Sequence, residues 1–430
     1  EVLDYIRENL SSASEIELAE DLNVITQGVT HAKLALLLDK VPTALLIDAP
    51  NKAARAIMEP DSEPVVRGPK DGFVESMSVN IMLLRRRLRT SYFKVETFEI
   101  GELSSTQVAV CYIQGIANDK VVEEVKKRLN RIKIDGIVGS GYIEELIRDE
   151  PVTLFPLVFT TERPDRVAAS LLEGRVTIMV DNTPMNLIVP CTFISMLQAS
   201  EDYYIAPEFA TFVRFLRFIS LNISLMFPAV TVAIFSFHQE LIPRPLLATV
   251  AGARQELPFP IFMEIFIMEI TFEILREAGV RLPKTVGQAI STVGGLVIGQ
   301  AAVNAGFVSP LSVIVVALTA IASFTIPNYT AGSCIRISRF FLLICSGLLG
   351  LIGMMFGLMT MLFHLCSLRS FGVPYLTPIT PYSLRDLKDT LVRAPWWAMI
   401  TRPRLIEGKE PERQERSQGP QKPKGGGNSH

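Results

Sequence analysis

The stretch FISLNISLMFPAVTVAIFSF, Phe218–Phe237, contains no Asp, Glu, Lys or Arg. An uncharged apolar run of about 18 residues or more is the sequence mark of a transmembrane helix, because about 20 residues at 1.5 Å each cross the hydrocarbon core of a bilayer. Thr285–Ile335 and Phe340–Ser367 also lack charged residues, whereas residues 1–205 carry ordinary charge and no such run. The sequence therefore predicts a soluble part followed by a polytopic membrane part.

The soluble part is predicted to be α/β, because short apolar runs alternate with amphipathic stretches. We expect an α/β subdomain at residues 1–66, which lacks an N-terminal piece because the chain begins at Glu1 rather than Met, and a second α/β domain at 67–205. The predicted strands are Thr43–Asp48, Ala53–Met58, Lys94–Ile100, Thr106–Ile113, Arg175–Val180 and Met185–Val189, and the last two are expected to form a hairpin around Asp181–Pro184. The predicted helices are Asp71–Arg89, Asp119–Asn130 with a cap at Asn118 and Asp119, Tyr142–Arg148 and Pro164–Leu172.

Residues 206–378 are predicted to form an all-α transmembrane domain, followed by a cytoplasmic tail at 379–430 that is largely disordered from about residue 407. The five candidate membrane segments are Phe218–Phe237, Leu257–Ala278, Thr285–Gly306, Leu311–Ile326 and Phe340–Cys366. We expect four spans, with Leu257–Ala278 entering part-way or lying along the bundle, and five spans if this glutamate-containing segment also crosses.

Charged flanks bear on the orientation, since Lys and Arg concentrate on the cytoplasmic side. Arg214 and Arg217 precede the first segment and place the N-terminal domain in the cytoplasm. From Ser367 onward the chain has 11 Lys and Arg against 6 Asp and Glu, which favours a cytoplasmic tail and an even number of spans. Five other basic residues lie on the cytoplasmic side only if a fifth segment spans the membrane, and five spans would place the tail on the opposite side. The two groups of basic residues therefore predict different numbers of spans. The five residues are Arg276, Arg281, Lys284, Arg336 and Arg339.

Carboxylates in the Leu257–Ala278 segment are the sharpest candidates for function. Ionisable groups at membrane depth are costly and usually face a water-filled path or a partner, and a ring of glutamates around an axis favours cations. Glu269, Glu273 and Glu277 share a helical face with Arg276, and Glu264 lies outside this face. The alternative is a surface amphipathic helix with solvated charges. The ion-path candidates are Glu264, Glu269, Glu273 and Glu277, with Gln300 and Asn304, which share a face of another segment.

Small residues recur about every four positions in two apolar segments. In lipid, small residues let helices approach closely. The functional interpretation is a tight, gated bundle, and the structural interpretation, which is favoured, is plain helix packing. The helix-packing candidates are Gly287, Ser291, Gly295, Gly299, Gly347, Gly350, Gly353 and Gly357.

A basic run ends the predicted helix Asp71–Arg89. Such a run can contact anionic lipid headgroups or the carboxylates of a partner. More often it is a solvated face, favourably placed at the C-terminal end of the helix dipole. The candidate partner or lipid contacts are Arg85, Arg86, Arg87 and Arg89.

No residue pattern predicts a catalytic, metal or nucleic-acid site. The five cysteines form no CxxC and the four histidines no HxxH, so zinc chemistry is not expected. The 42 basic and 44 acidic residues nearly cancel, which gives no nucleic-acid footprint. Asp135–Gly141 has the glycines of a phosphate loop but lacks a Walker lysine, and a turn before a helix is favoured. We therefore expect neither an enzyme nor a cofactor.

Seven stretches carry a family resemblance that is specific in aggregate, although no single motif is decisive. They are Arg67–Glu75 (RGPKDGFVE), Leu84–Arg89, Thr161–Asp165 (TERPD), Gly174–Pro184 (GRVTIMVDNTP), Glu273–Gln300 (EILREAGVRLPKTVGQAISTVGGLVIGQ), Ala320–Pro327 and His364–Pro378 (HLCSLRSFGVPYLTP). Together they resemble the GerA-type spore germination proteins, and the pattern is similar to the A subunit of a nutrient germinant receptor. The resemblance covers nearly all of the chain except the tail.

The resemblance implies a cytoplasmic N-terminal part and a helical membrane part in the spore inner membrane. It also implies action with a transporter-like B subunit, which senses the nutrient, and with a lipoprotein C subunit. The family is expected to form an oligomeric, nutrient-gated ion channel, so we expect a homo-oligomer. Three alternatives stay open: a non-conducting scaffold or signalling subunit, a sporulation membrane protein of the same superfamily, and a secondary transporter, against which no inverted repeat is visible.

Overall fold

The computed structural model describes residues 16–30, 33–39, 41–48, 59–60, 62–255, 257–282, 295, 297–404, 406, 410–415 and 418–420. The predicted strand Ala53–Met58, the positions Gly287 and Ser291, and much of the tail beyond 407 lie outside these residues. The described chain has a strand-rich N-terminal part and a helical C-terminal part.

The chain begins with a small three-stranded antiparallel sheet. Its elements are β1 (Ile16–Ala19), α1 (Leu22–Thr30), β2 (Lys33–Leu36) and β3 (Ala44–Asp48). β3 lies in the centre and pairs with both other strands. Its Ala44, Leu45 and Leu46 are buried, so both faces of this strand are apolar. The strand predicted at Thr43–Asp48 is confirmed.

A five-stranded sheet forms the centre of the second domain. Its strands are β4 (Phe93–Ile100), β5 (Thr106–Ile113), β6 (Phe159–Thr161), β7 (Val176–Val180) and β8 (Asn186–Val189). Their order is β4-β5-β7-β8-β6, and each of these pairings is antiparallel. The predicted mixture of strands and helices is correct, and the connections are antiparallel rather than the parallel crossovers of a doubly wound sheet.

Helices cover both faces of this sheet. They are α2 (Met77–Arg87), α3 (Asp119–Arg131), α4 (Ser140–Ile147), α5 (Pro164–Leu172) and the short α6 (Phe193–Leu197). Successive residues of a strand point to opposite faces: Ala109 and Cys111 of β5 pack with α2 and α5, whereas Val108 and Val110 pack with α3 and α4. The prediction of α3 is confirmed with its cap, because the side chain of Asn118 accepts a hydrogen bond from the backbone N–H of Lys120.

The helix predicted at Asp71–Arg89 is shorter in the structure, where α2 begins at Met77. The backbone N–H of Phe73 donates to the carbonyl of Glu162 at 2.8 Å, and that of Val74 donates to the buried Asn80 side chain at 2.9 Å. These bonds hold the residues before α2 in a non-helical conformation. A tertiary contact therefore overrides the local helical pattern.

The C-terminal part is built from helices. They are α7 (Pro207–Phe237), α8 (Arg244–Arg254), α9 (Ile261–Arg281), α10 (Pro310–Ser323) and α11 (Tyr329–Ser367), with a further helical stretch at 297–304. Within the described residues, α7 and α11 are long and apolar enough to cross a bilayer, and α10 is apolar but only 14 residues long. The predicted span Thr285–Gly306 lies partly outside the described residues, and the number of spans remains a prediction.

The span predicted at Phe340–Cys366 is wrong as a single helix, because the backbone breaks at Gly350. This residue has φ 64° and ψ −139°, a conformation that residues with a Cβ rarely adopt. It divides α11 into two halves, α11a (residues 329–349) and α11b (residues 351–367). The sequence signal failed here because a glycine within an apolar run also suits a continuous helix.

The two halves of α11 pack antiparallel as a hairpin with Gly350 at its tip. A Cβ placed on Gly357 would lie 3.5 Å from both the Cβ and the Sγ of Cys345. In a continuous helix these positions would be about 18 Å apart along the axis. Leu342 of α11a likewise packs with Met354 of α11b. The two halves therefore lie side by side, and each covers the same depth of the bundle.

Both ends of this hairpin lie at the soluble domain. At the start of α11a, Tyr329 lines a cavity together with Phe159 of the sheet. At the end of α11b, His364 Nε2 lies 3.0 Å from Thr153 Oγ1. The tip lies at the opposite end of the bundle, where a Cβ on Gly350 would meet the side chain of Phe237 at the end of α7. α7 and α11a thus run away from the soluble domain, and α11b returns to it.

A short two-stranded hairpin after α11 attaches the bundle to the sheet. Its strands are β9 (Arg369–Ser370) and β10 (Val373–Pro374). The hydroxyl of Ser370 donates to the carbonyl of Leu157 at 2.7 Å and accepts from the backbone N–H of Cys191 at 2.8 Å. The buried Phe371 joins the apolar cluster around α3 and α4. These residues, which the predicted boundary at 378 assigns to the membrane domain, therefore pack within the soluble domain.

The described part of the tail also packs on the soluble domain. The indole N–H of Trp396 donates to the carbonyl of Tyr203, and Arg402 Nε donates to the carbonyl of Leu172 at 2.9 Å. Thr401 and Glu412 form an isolated antiparallel bridge. The predicted disorder from residue 407 falls largely outside the described residues.

The hairpin predicts a cross-link that a continuous helix forbids. A Gly357→Cys chain should form a disulfide between the introduced thiol and the native Cys345 under mild oxidation, because the Cβ separation of 3.5 Å suits a disulfide. The measurement is mass spectrometry of the joined 345–357 peptides, with Gly357→Cys in a Cys345→Ser background as the control. Free alkylation of the introduced thiol after oxidation would contradict the hairpin.

Candidate functional site

The candidate site is a buried charge network between α9 and α11a. Glu269 of α9 and Arg339 of α11a are each 1% exposed, and Glu269 Oε2 lies 2.8 Å from Arg339 Nη2. One turn along α9, Glu273 lies 3.3 Å from Arg336 Nη1 and 3.3 Å from Arg339 Nη2. The network thus holds two carboxylates and two guanidinium groups, whose formal charges cancel.

The antiparallel packing of α9 and α11a sets this register. Phe262 of α9 lies against Gly347, where a Cβ would meet the Phe262 ring, and Phe266 contacts Phe340 edge-on with ring centroids 6.0 Å apart. Residues three or four apart share a helical face. Continuing down the two helices therefore brings Glu269 opposite Arg339.

Glu273 accepts hydrogen bonds from Arg336 and Arg339, but several other polar atoms of the network have none within the described part of the chain. The Glu269–Arg339 contact is an ion pair without hydrogen-bond geometry, and among the described residues Glu269 Oε1 and Arg339 Nη1 have no hydrogen-bond partner. Desolvation of buried ions is repaid only when the remaining polar atoms are satisfied. The network is therefore only a modest source of stability, although removal of one partner leaves an uncompensated charge.

Glu264 belongs to a second buried cluster, at the far end of the bundle. It is 0% exposed, and its Oε2 accepts from the backbone N–H of Ser309 at 2.9 Å and from the hydroxyl of Ser312 at 2.8 Å. Arg254 of α8 lies 3.2 Å from its Oε1. The carboxylate therefore caps the N-terminus of α10, where the helix dipole favours negative charge.

The other ion-path candidates lie apart from these clusters. Glu277 is exposed and accepts from Arg281 Nε of its own helix at 2.7 Å. Gln300 and Asn304 are hydrogen-bonded to each other at 3.1 Å in an exposed contact. The structure thus brings Glu269 and Glu273 together, and it places the remaining four candidates at other positions.

The sequence reasoning missed the basic partners, Arg254, Arg336 and Arg339. A signal was present, because Arg336 and Arg339 are three residues apart and interrupt an otherwise uncharged run. That spacing matches the four-residue spacing of Glu269 and Glu273 when two helices lie side by side. Nothing in the sequence, however, says which helices are neighbours.

The glycine candidates divide between close contacts and open positions. A Cβ on Gly353 would overlap the carbonyl of Cys345, and one on Gly357 would lie 2.8 Å from the Leu342 side chain. Gly295 has no neighbour within 4 Å of such a Cβ, and Gly299 has only Val313, at 3.4 Å. The close approaches therefore concentrate in the α11 hairpin.

The basic run at the end of α2 is partly used within the domain. Arg87 forms an ion pair with Asp71 and donates to the carbonyl of Leu83 at 3.1 Å. Arg85 and Arg86 are exposed, with the guanidinium of Arg85 5.9 Å from the Phe93 ring centroid. Arg89 is exposed and donates to the carbonyl of Arg86 at 3.3 Å.

A further buried cluster, absent from the sequence reasoning, joins the soluble domain, α7 and the tail. Asp202 accepts from Arg214 Nε and from Arg217 Nη1, each at 3.0 Å. Arg214 Nη1 also donates to Asp389 of the tail at 2.8 Å. Burial favours a higher pKa for Asp202, but the hydrogen bond from Arg217 and the two positive charges outweigh it and lower the pKa.

Within the residues that the structure describes, no group of three or more His, Cys, Asp or Glu side chains is arranged to hold a metal ion. The thiol of Cys191, which is fully buried, has a pKa raised by that burial to about 11, so it is not a thiolate nucleophile. The arrangement supports charge pairing between helices rather than covalent chemistry.

Removal of Arg339 should destabilise the bundle by about 3–5 kcal/mol, because it leaves Glu269 buried without a counter-charge. Arg281→Gln is the matched control, since it breaks an exposed pair worth about 1 kcal/mol or less. Thermal unfolding of the detergent-solubilised chain measures both. A Glu269→Gln/Arg339→Gln double variant should recover part of the loss, and equal melting of Arg339→Gln and Arg281→Gln would refute the network.

The Asp202 cluster should make the chain sensitive to acid. A carboxylate with a lowered pKa in the folded state stabilises the fold above its unfolded pKa of about 3.9, and the contribution is lost as pH falls through the lower, folded pKa. Unfolding free energies between pH 7 and pH 2 should fall more steeply in the native chain than in Asp202→Asn, which is already less stable at pH 7. Parallel pH curves for the two chains would contradict this assignment.

Comparison with known proteins identifies the family. Residues 1–405 match the family model described as Bacillus/Clostridium GerA spore germination protein. The chain is 49% identical over 378 residues to Spore germination protein KA of Bacillus subtilis (strain 168), which covers 88% of this chain and 70% of that protein. It is 46% identical over 396 residues to the Uncharacterized membrane protein YfkQ of the same organism, covering 92% and 77%.

Two further matches concern a named relative and a solved domain. The chain is 38% identical over 409 residues to Spore germination protein GerLA of Bacillus cereus, covering 95% of this chain and 83% of that protein. The crystal structure of the N-terminal domain of the A subunit of the Bacillus megaterium spore germinant receptor GerK3 aligns with a TM-score of 0.35 at 38% identity, covering 45% of this chain and 69% of that one. Because the family model spans residues 1–405 and several relatives exceed 30% identity over most of their length, this chain belongs to the GerA family of spore germination proteins.

Proposed function

We propose that this chain is the A subunit of a nutrient germinant receptor in the spore inner membrane, where it forms part of a nutrient-gated ion channel. Family membership supports the germination role. The observation that carries the channel proposal is the set of carboxylates buried inside an apolar helical bundle, because such groups at membrane depth usually serve an ion path or a switch. The expected partners are a transporter-like B subunit, a lipoprotein C subunit and further copies of this chain.

The path of the chain supports a topology with an even number of membrane-crossing segments. α9 runs towards the soluble domain, since Glu264 at its start lies at the far end and Arg276 near its end lines a cavity with Arg163. α10 runs the same way, from Ser309 beside Glu264 to Ser323 beside Arg276. The described helical stretch at 297–304 lies between them, and we infer that it belongs to a segment that returns to the far end. With α7, α9, α10 and the two halves of α11, the proposed topology has six membrane-crossing segments.

With six membrane-crossing segments, the basic tail and the basic residues within the bundle predict the same topology. The basic residues of α7, α9 and α11a then lie towards the end of the bundle that contacts the soluble domain, and the tail returns to the same side as that domain. Both features agree with a cytoplasmic soluble domain and a cytoplasmic tail. The two groups of basic residues predicted different numbers of spans because Phe340–Cys366 was counted as one.

In this conformation the buried carboxylates are neutralised by arginines of the same chain. A cation path along α9 therefore requires α9 to separate from α11a, which exposes Glu269 and Glu273 towards neighbouring copies around an axis. Binding that favours the separated arrangement shifts the population towards it by its differential affinity. We place the gate of the channel at the Glu269–Arg339 contact.

The test is nutrient-triggered ion release from spores that carry variants of this chain with its partner subunits. Glu269→Gln and Glu273→Gln should suppress the flux at equal protein level. Glu277→Gln is the matched control, because it makes the same change on the exposed side of the same helix and should leave the flux unchanged. Normal flux in both buried variants would remove these glutamates from the mechanism.

The same neutralisation favours a second candidate, a non-conducting scaffold whose buried pairs only hold helices together. The scaffold predicts no conductance in any reconstituted assembly, and variants that fail through loss of a partner protein rather than loss of flux. A sporulation membrane protein of the same superfamily is the third candidate, and one relative, at 46% identity, is named only as the Uncharacterized membrane protein YfkQ. Spores that lack this chain and still release ions normally with every nutrient would support that candidate.

A further inference from the structure

A cavity of about 330 Å³ lies between α5 of the soluble domain and the C-terminal tail. Its floor includes Asp165, Arg166 and Ala169 of α5, and the tail contributes Trp396 and Arg413. The aromatic rings of Tyr203 and Tyr204 also line it. The volume and the largely apolar wall with a few polar groups are those of a small-molecule site.

Arg166 is the central charge of this cavity. It is 9% exposed, donates Nη2 to the carbonyl of Ser195 at 2.8 Å and lies 5.1 Å from the Phe159 ring centroid. Within the described part of the chain it forms no direct ion pair, and the charge of Glu63 acts on it only at longer range. Two other arginines of the wall, Arg87 and Arg175, each have a carboxylate partner. A buried guanidinium without a direct counter-ion is costly, so an anion in the cavity would be stabilised strongly.

Two hydrogen bonds hold the side chain of Asp165 in the same wall. It is 8% exposed, and its Oδ2 accepts from Arg163 Nη2 at 3.0 Å and from the hydroxyl of Tyr204 at 2.8 Å. Its Oδ1 is buried and has no hydrogen-bond partner among the described residues. This oxygen has almost no accessible surface, so a ligand in the cavity does not reach it, and Asp165 serves to hold the Tyr204 side chain in the wall.

We propose that this cavity binds a small carboxylate with an aromatic or apolar body. The carboxylate pairs with Arg166, and the body packs against the rings of Tyr203 and Trp396. This site is separate from the α9–α11a charge network, and the proposal does not rest on the proposed channel.

Occupancy of the cavity would act on α7 through the tail. The hydroxyl of Tyr203 donates to Asp389 Oδ2 at 2.8 Å, and Asp389 in turn accepts from Arg214 of α7. A ligand that packs between α5 and Trp396 therefore stabilises the tail where it holds the first turns of α7. Binding of a small molecule in the cavity is thus linked to the helical bundle through Tyr203, Asp389 and Arg214.

Calorimetric titration of the full-length protein in detergent tests the site, with 4-hydroxybenzoate and its neutral analogue 4-hydroxybenzamide as probes. We expect saturable binding of the acid and binding of the amide weaker by about tenfold or more, since hydrogen bonds to a charged partner carry much of the affinity. Arg166→Gln should weaken the acid to the level of the amide, and exposed Arg86→Gln should leave it unchanged.

A second variant separates loss of the site from loss of the fold. Ala169→Phe fills the cavity and leaves Arg166 with its bond to Ser195, so it should abolish binding of the acid while the melting temperature stays close to native. Absence of saturable binding to the native chain, equal affinity for acid and amide, or full binding by Ala169→Phe would each overturn the proposal.

Discussion

A charged side chain buried among apolar helices must face an opposite charge, and much of this structure follows from that constraint. Arg214 with Asp389, and Glu269 with Arg339, each join two segments that are distant in sequence, and Glu264 with Arg254 joins two consecutive helices. Because loss of one partner costs far more than the pair contributes, these contacts fix which helices are neighbours and in which register. The apolar surfaces between them supply most of the attraction but little of the specificity.

The reversal at Gly350 gives the bundle its second organising feature. It divides one apolar segment into the two antiparallel helices α11a and α11b, so that both Tyr329 and Ser367 lie at the soluble domain. The close glycine contacts of the hairpin follow from the same reversal, because a tight pair of helices leaves no room for larger side chains at Gly353 and Gly357.

Sequence reasoning succeeded where the signal is local. The strand pair Phe93–Ile100 and Thr106–Ile113, the capped helix α3 and the hairpin around Asp181–Pro184 follow from two-residue alternation, a capping Asn and turn chemistry. It failed where a distant contact decides: the start of α2 depends on a bond from Phe73 to Glu162, and the break in α11 depends on one backbone conformation. The glutamates of the candidate site were visible as costly residues, but their arginine partners were not, because pairing between helices is a tertiary property.

The bonds of Ser370 to Leu157 and Cys191 make the end of α11b continuous with the five-stranded sheet. A rotation of the soluble domain would therefore turn α11b about its attached end. The 17 residues of α11b reach about 26 Å, so a rotation of the domain by about 10° would displace the Gly350 tip by about 4–5 Å. A small rotation of the soluble domain at one end of the bundle would in this way produce a displacement of several ångströms at the Gly350 tip at the other end.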